Sequence, residues 1–86
     1  MQRDKEHQER QVVAVIQKGG KQEIRVSLSN FNGRTFGDLR LFVPNKQGEW
    51  IPTMKGVTVG IEQLKELEEA VGRLRDASDP TIHPPF

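Results

Sequence analysis

Two kinds of side chain with a chemical use alternate on either side of Asn32-Gly33: Arg25 and Phe31 before it, then Arg34, Phe36, Arg40 and Phe42 after it. A guanidinium is planar, always charged and matched to phosphate oxygens, and an exposed ring offers a flat face to an unstacked base. Interleaved, they are what a single-stranded nucleic acid requires, with stacking contributing about 1 to 3 kcal/mol per base. A purely structural reading stands beside this one. Arginines are common on exposed strand faces, and two of the three phenylalanines have a use beneath the Trp50 strand or in a dimer contact.

Whether these side chains share a face depends on the strands that carry them. Ile24, Val26 and Leu28 alternate with Arg25, Ser27, Ser29 and Phe31, as in a half-buried strand. Asn32-Gly33 supplies the two positive-φ positions of a type I′ turn, so a two-residue loop sets the register. Phe31 then faces Arg34, Ser29 faces Phe36, Ser27 faces Asp38 and Arg25 faces Arg40, with Phe42 extending the row. Leu39, Leu41 and Val43 fall on the opposite face with Ile24, Val26 and Leu28. Like charges paired across a ladder destabilise it by roughly a few tenths of a kcal/mol, so Arg25 beside Arg40 calls for an anion. Asp38, diagonal to Arg25, is an internal candidate; a phosphate is the external one.

The remaining chain reads as the scaffold for this hairpin. "VVAVI", Val12 to Ile16, is a first strand closed by Gly19-Gly20, and Pro44, Asn45 and Gly48 mark the turn before a fourth strand from about Glu49. Pro52 within that strand predicts a bulge, a bend or an edge position. After Gly60 the period lengthens, and Ile61, Leu64, Leu67, Val71 and Leu74 form one stripe of an amphipathic helix. The expected fold is α+β: a four-stranded antiparallel β-meander followed by one C-terminal amphipathic helix that covers one sheet face. Residues 1–11 are expected to be a disordered charged arm, 12–76 the single domain, and 77–86 a Pro-rich extended tail.

Composition limits the function classes. The chain has 86 residues, 34% of them apolar, and no cysteine. A monomer of that size buries little surface, so a partner chain is expected, and disulfides cannot stabilise it. No run has the length or apolarity of a membrane span or a secretory signal, which makes the cytoplasm the expected location. Net charge is +1, yet Gln17 to Thr58 carries seven basic against three acidic residues and Ile61 to Asp76 three against five. A basic face backed by an acidic helix fits an anionic partner.

An enzyme is disfavoured. His7 and His83 fall in the expected tails, Glu62, Glu66 and Glu69 read as a solvated helix face, and Gly19-Gly20 lacks the setting of a phosphate loop. No metal or cofactor is expected. A protein-interaction or architectural module, docking through the helix stripe or the aromatic sheet face without contacting nucleic acid, is the alternative.

Ile24 to Val59 resembles the single-stranded-DNA-binding domain of the transcriptional coactivator positive cofactor four and its bacterial and phage relatives. The matching features are "VSLSNFNGR", "DLR", "GEW" and "KGVTV" leading into the helix, and with that helix the similarity spans roughly Ile16 to Leu74. The resemblance implies a homodimer formed through the helices and the backs of the sheets, which places Leu64, Leu67, Val71 and Leu74 at its interface. It also implies binding of single-stranded DNA with little sequence preference, RNA being the other candidate. By position it implies that Phe31 stacks on bases and that Arg34, Arg40 and Lys55 contact phosphates. Val43 stands where the coactivator has tryptophan, and Ile51 and Met54 where it has basic residues; Trp50 is the candidate replacement for the stacking surface. Transcription regulation, or DNA replication, recombination or repair, is the process implied, on the nucleoid if the source is bacterial. The coactivator's serine-rich regulatory arm has no counterpart here, so its regulation is not carried over.

Overall fold

The alternating segments form one antiparallel sheet in sequence order. The structure, a computed structural model, describes residues 8–79 and Thr81. Strands β1 (Gln8–Gln17), β2 (Glu23–Phe31), β3 (Arg34–Pro44) and β4 (Trp50–Gly60) are followed by a 3₁₀ turn (Ile61–Gln63) and helix α1 (Leu64–Ala77). Each strand pairs with the next, giving the order β1-β2-β3-β4. The expected arm and tail fall largely outside the described residues, but Gln8 to Gln11 belong to β1, which starts four residues before the expected Val12.

The β2–β3 hairpin has the register that its turn dictates. Asn32 and Gly33 have φ of 53° and 79°, and the pairs Phe31–Arg34, Ser29–Phe36, Ser27–Asp38 and Arg25–Arg40 form across them. Two irregularities flank this regular centre. The β1–β2 register shifts between Val12 and Ala14, and the β3–β4 register shifts between Arg40 and Phe42. β4 is an edge strand, where Pro52 removes no ladder donor needed by an inner neighbour.

The helix does not lie over the sheet as the amphipathic pattern suggested. Leu64 packs against β3 so closely that a Cβ on Gly37 would sit 3.0 Å from its Cδ2. Beyond that point α1 runs clear, and none of its residues is buried. Phe42, at 6% exposure, is the buried hydrophobic residue among those described. Ile16, Leu28, Val57, Val71 and Leu74 are all exposed. The Cα radius of gyration is 16.3 Å, against about 12 Å for a compact domain of this length. An aliphatic stripe on a helix stays off a sheet when a single chain lacks the layers to enclose both.

Candidate nucleic-acid interface

The hairpin register sets Glu23, Arg25, Ser27, Ser29 and Phe31 of β2 on one face with Arg34, Phe36, Asp38, Arg40 and Phe42 of β3. The outer strands extend it. On β4, Thr58 lies opposite Asp38, Pro52 opposite Phe42, and half-buried Trp50 opposite Pro44. On β1 the irregularity at Val13 decides what is added. Ile16 and Ala14 pair with Ile24 and Val26 on the aliphatic side, but past Val13 the partners change so that Arg10 stands opposite Ser29. Side chains alternate with a period of two, so one extra residue moves everything beyond it to the other face. Without that bulge, Arg10 would lie on the aliphatic side.

The opposed arginines are neutralised from within the sheet, one carboxylate each. Arg40 donates through Nε to Asp38 Oδ2 (3.1 Å) and through Nη2 to Oδ1 (2.9 Å), while its Nη1 donates to the Thr53 carbonyl (3.1 Å). Arg25 donates through Nε to Glu23 Oε2 at 2.6 Å, and its guanidinium lies 4.3 Å from the centroid of the Phe42 ring. Asp38 also accepts from Thr58 Oγ1 at 2.9 Å. The hydrogen bonds from Arg40 hold the Asp38 carboxyl below its usual range; burial opposes this, and Thr58 and the nearby positive charges of Arg40 and Arg10 support it. Arg40 is correspondingly raised by Asp38. Glu23 is the partner that sequence reasoning missed, because it lies at the start of β2 outside the hairpin's inner rows.

The sequence-derived residues therefore divide. Phe31 and Arg34 flank the turn and are exposed, and Arg34 makes no ion pair among the described residues. Phe36 is half-buried beside them. Phe42 is enclosed beneath Arg25 and Trp50 sits at the far end of the same face, across from Pro44. Lys55 is exposed in the β4 bulge, where it lines a cavity of about 380 Å³ with Ile24, Leu39, Leu41 and Lys18, next to aliphatic-face residues. Met54, at the same bulge, is 96% exposed. Of the helix stripe, Leu64 and Leu67 are half-buried, whereas Val71 and Leu74 are exposed.

Near the turn, Arg10, Ser29, Phe31, Phe36, Asp38 and Thr58 surround a cavity of about 310 Å³. Arg10, Ser29 and Thr58 carried no functional signal in the sequence, since their convergence depends on two outer strands and one bulge. A larger opening of about 810 Å³ separates the β1–β2 and β3–β4 turns at the opposite end, with Lys18, Lys21 and Lys46 on its walls. Among the described residues no cluster of His, Cys, Asp or Glu is arranged to hold a metal ion, and no helix is long and apolar enough to cross a membrane.

The family model described as Transcriptional Coactivator p15 (PC4) matches residues 18–70. A PC4 homologue from Burkholderia pseudomallei is similar in two crystal forms. The orthorhombic form aligns with a TM-score of 0.71 at 29% identity over 76% of this chain and 88% of that one. The tetragonal form gives 0.74 at 28% identity over 78% and 98%. The bacteriophage T5 homologue of the eukaryotic coactivator, implicated in recombination-dependent DNA replication, shares the fold with a TM-score of 0.64 at 18% identity over 86% and 83%.

Proposed function

Because the chain belongs to the Transcriptional Coactivator p15 (PC4) family, we propose that it is a non-catalytic, homodimeric protein that binds single-stranded DNA with little sequence preference. It acts in transcription regulation, or in DNA replication, recombination or repair, in the cytoplasm or on the nucleoid. The observation that carries this reading is the gathering of Arg10, Phe31, Arg34 and Phe36 at one end of a sheet face whose other arginines are already oriented by carboxylates.

In this reading Arg10 and Arg34 contact successive phosphates, and the exposed ring of Phe31 stacks on a base while Phe36 supports it. Arg25 and Arg40 keep guanidinium N–H groups beyond those their carboxylates occupy, so each is a pre-oriented second-line phosphate contact. Phe42 holds Arg25 in place from beneath. Lys55 and Trp50 serve the far end of the strand path. The second copy of the chain covers the aliphatic sheet face and the α1 stripe with Leu64, Leu67, Val71 and Leu74, which accounts for apolar surface that one copy leaves in water.

Fluorescence anisotropy with labelled single-stranded DNA, single-stranded RNA and duplex DNA at two salt concentrations tests the proposal. Single strands are expected to bind more tightly than duplex, with affinity falling as salt rises. Arg34→Ala is expected to weaken binding and reduce the salt slope by about 0.7 for each phosphate that is no longer neutralised. Phe31→Ala is expected to weaken binding about fivefold or more with the slope retained. A preference for duplex, or no binding at low salt, overturns the proposal.

A further inference from the structure

Resting on the single-strand reading above, we infer that the cleft between the β1–β2 and β3–β4 turns grips the phosphate backbone of a duplex adjoining the bound single strand, which makes a junction between single strand and duplex the preferred DNA ligand.

The cleft suits an anion. Lys18 and Lys21 of the β1–β2 turn and Lys46 of the β3–β4 turn, all exposed, line an opening of about 810 Å³. None of the three has an ion-pair partner among the described residues, and Lys18 donates only to Gln22 Oε1, at 3.4 Å. No carboxylate lines the cleft, and Glu49, the acidic residue of the β3–β4 turn, accepts from Asn45 Nδ2 at 3.3 Å. The backbone adds to this field. Gly19 has a φ of 85°, and the amides of Gly20 and Lys21 find no backbone acceptor among the described residues, which leaves two N–H dipoles for an oxyanion. A Cβ on Gly19, Gly20 or Gly48 would meet nothing within 4 Å, so a phosphate chain has room to approach both turns closely. The β3–β4 wall is held in shape by Asn45, whose Oδ1 accepts the amides of Gln47 and Glu49 at 2.9 Å each.

What the cleft lacks selects the partner. Its lining holds no aromatic ring, whereas the sheet face carries Phe31 and Phe36 at one end and Trp50 at the other. Trp50 pairs with Pro44, which itself lines the cleft, so the last ring of the face stands next to the lysines. The nine residues of β2 separate the two ends, a path of about 27 Å. Unpaired bases beyond Trp50 have no surface on which to stack. A duplex turns its bases inward and presents one charge for about every 1.7 Å of its axis, which lysines, as flexible point charges, meet without any base contact. Rings followed by a ring-free basic cleft therefore match a strand that becomes paired where the rings end.

Anisotropy on the full chain tests the inference with a labelled single strand, the same strand as the 5′ or 3′ overhang of a duplex, and a single strand lengthened by as many nucleotides as the duplex adds. The better of the two overhangs is expected to bind about fivefold more tightly than the short single strand, through phosphate contacts that the overhang alone does not make. In the double variant Lys21→Gln/Lys46→Gln, that gain is expected to disappear and the salt slope on the tailed duplex to fall by about 0.9 for each phosphate no longer neutralised. Affinity for both single strands, and the melting temperature, should match the parent. Lys18 is left in place because it also lines the cavity beside Lys55. An equal loss on the lengthened single strand would show that the cleft continues the single-strand path, and overturns the junction. So does a tailed duplex that binds the parent no more tightly than its overhang alone, or a gain that survives the double variant. Failure of the parent to bind any single strand overturns the single-strand reading itself, and the junction with it.

Discussion

Arg25 and Arg40 face one another across the β2–β3 ladder, and each is held by a carboxylate two residues away on its own strand, Glu23 and Asp38. Residues two apart share a strand face, so the sheet answers its like-charge pair without a ligand and at short range. Arg40 is thus a structural cation as well as a candidate phosphate contact. Removing it leaves Asp38, 5% exposed, with only Thr58 as a partner. Arg40→Ala is expected to lower stability at neutral pH by about 2 kcal/mol, the scale of hydrogen bonds to a charged group. The pH dependence has a definite sign. Asp38 is lowered in the folded state, so its contribution is complete above the usual carboxylate range and is lost as pH falls through its lowered value. Denaturant midpoints of parent and variant should therefore differ at neutral pH and converge in acid; a gap that stays constant would show that the pair is not responsible.

At the scale of elements, two irregularities do what regular strands cannot. The Val13 bulge carries Arg10 to the arginine–phenylalanine face while Ala14 and Ile16 remain on the aliphatic one. In the β4 bulge, the Thr53 hydroxyl donates to the Leu41 carbonyl at 2.8 Å, and the Thr53 carbonyl accepts from Arg40. Gly56 closes this second device. A Cβ there would meet the Leu39 carbonyl oxygen at 2.6 Å and Arg40 Cζ at 2.9 Å, so backbone and guanidinium both occupy its space. Gly56→Ala is expected to destabilise the protein by about 1 to 3 kcal/mol, as overpacking does, and to weaken single-strand binding by displacing Arg40. Thermal denaturation and anisotropy check this together. An unchanged melting temperature would mean that β4 shifts outward freely.

For the whole molecule, the exposed aliphatic surface is the dominant fact. The back of the sheet and the α1 stripe are open together, with Val71 at 52% and Leu74 at 68% exposure. In a monomer a charge at either position would meet only water and alter little. In a dimer built on that stripe it would be buried without a partner. Val71→Asp and Leu74→Asp are therefore expected to convert a dimer to monomer in sedimentation analysis and to make the melting temperature of the parent, but not of the variants, depend on protein concentration. A parent protein that sediments as a monomer at all concentrations would refute the dimer.

The hairpin was legible in full from the order of its residues. Asn32-Gly33 admits one turn geometry, period-two alternation admits one assignment of faces, and together they place Arg25, Phe31, Arg34, Phe36, Arg40 and Phe42 in a row. The helix was equally legible, since its stripe is a local property of consecutive residues. Folding in three dimensions was needed to settle that Glu23 answers Arg25, that Phe42 is enclosed under a guanidinium, and that Ser29, Arg10 and Thr58 meet around one cavity. The departure of α1 from the sheet after Leu64 belongs to the same group. The convergence on that cavity depends on a bulge and on pairing with the outer strands, where one inserted residue reverses which side chains meet, and a pattern read along the chain contains no term for it.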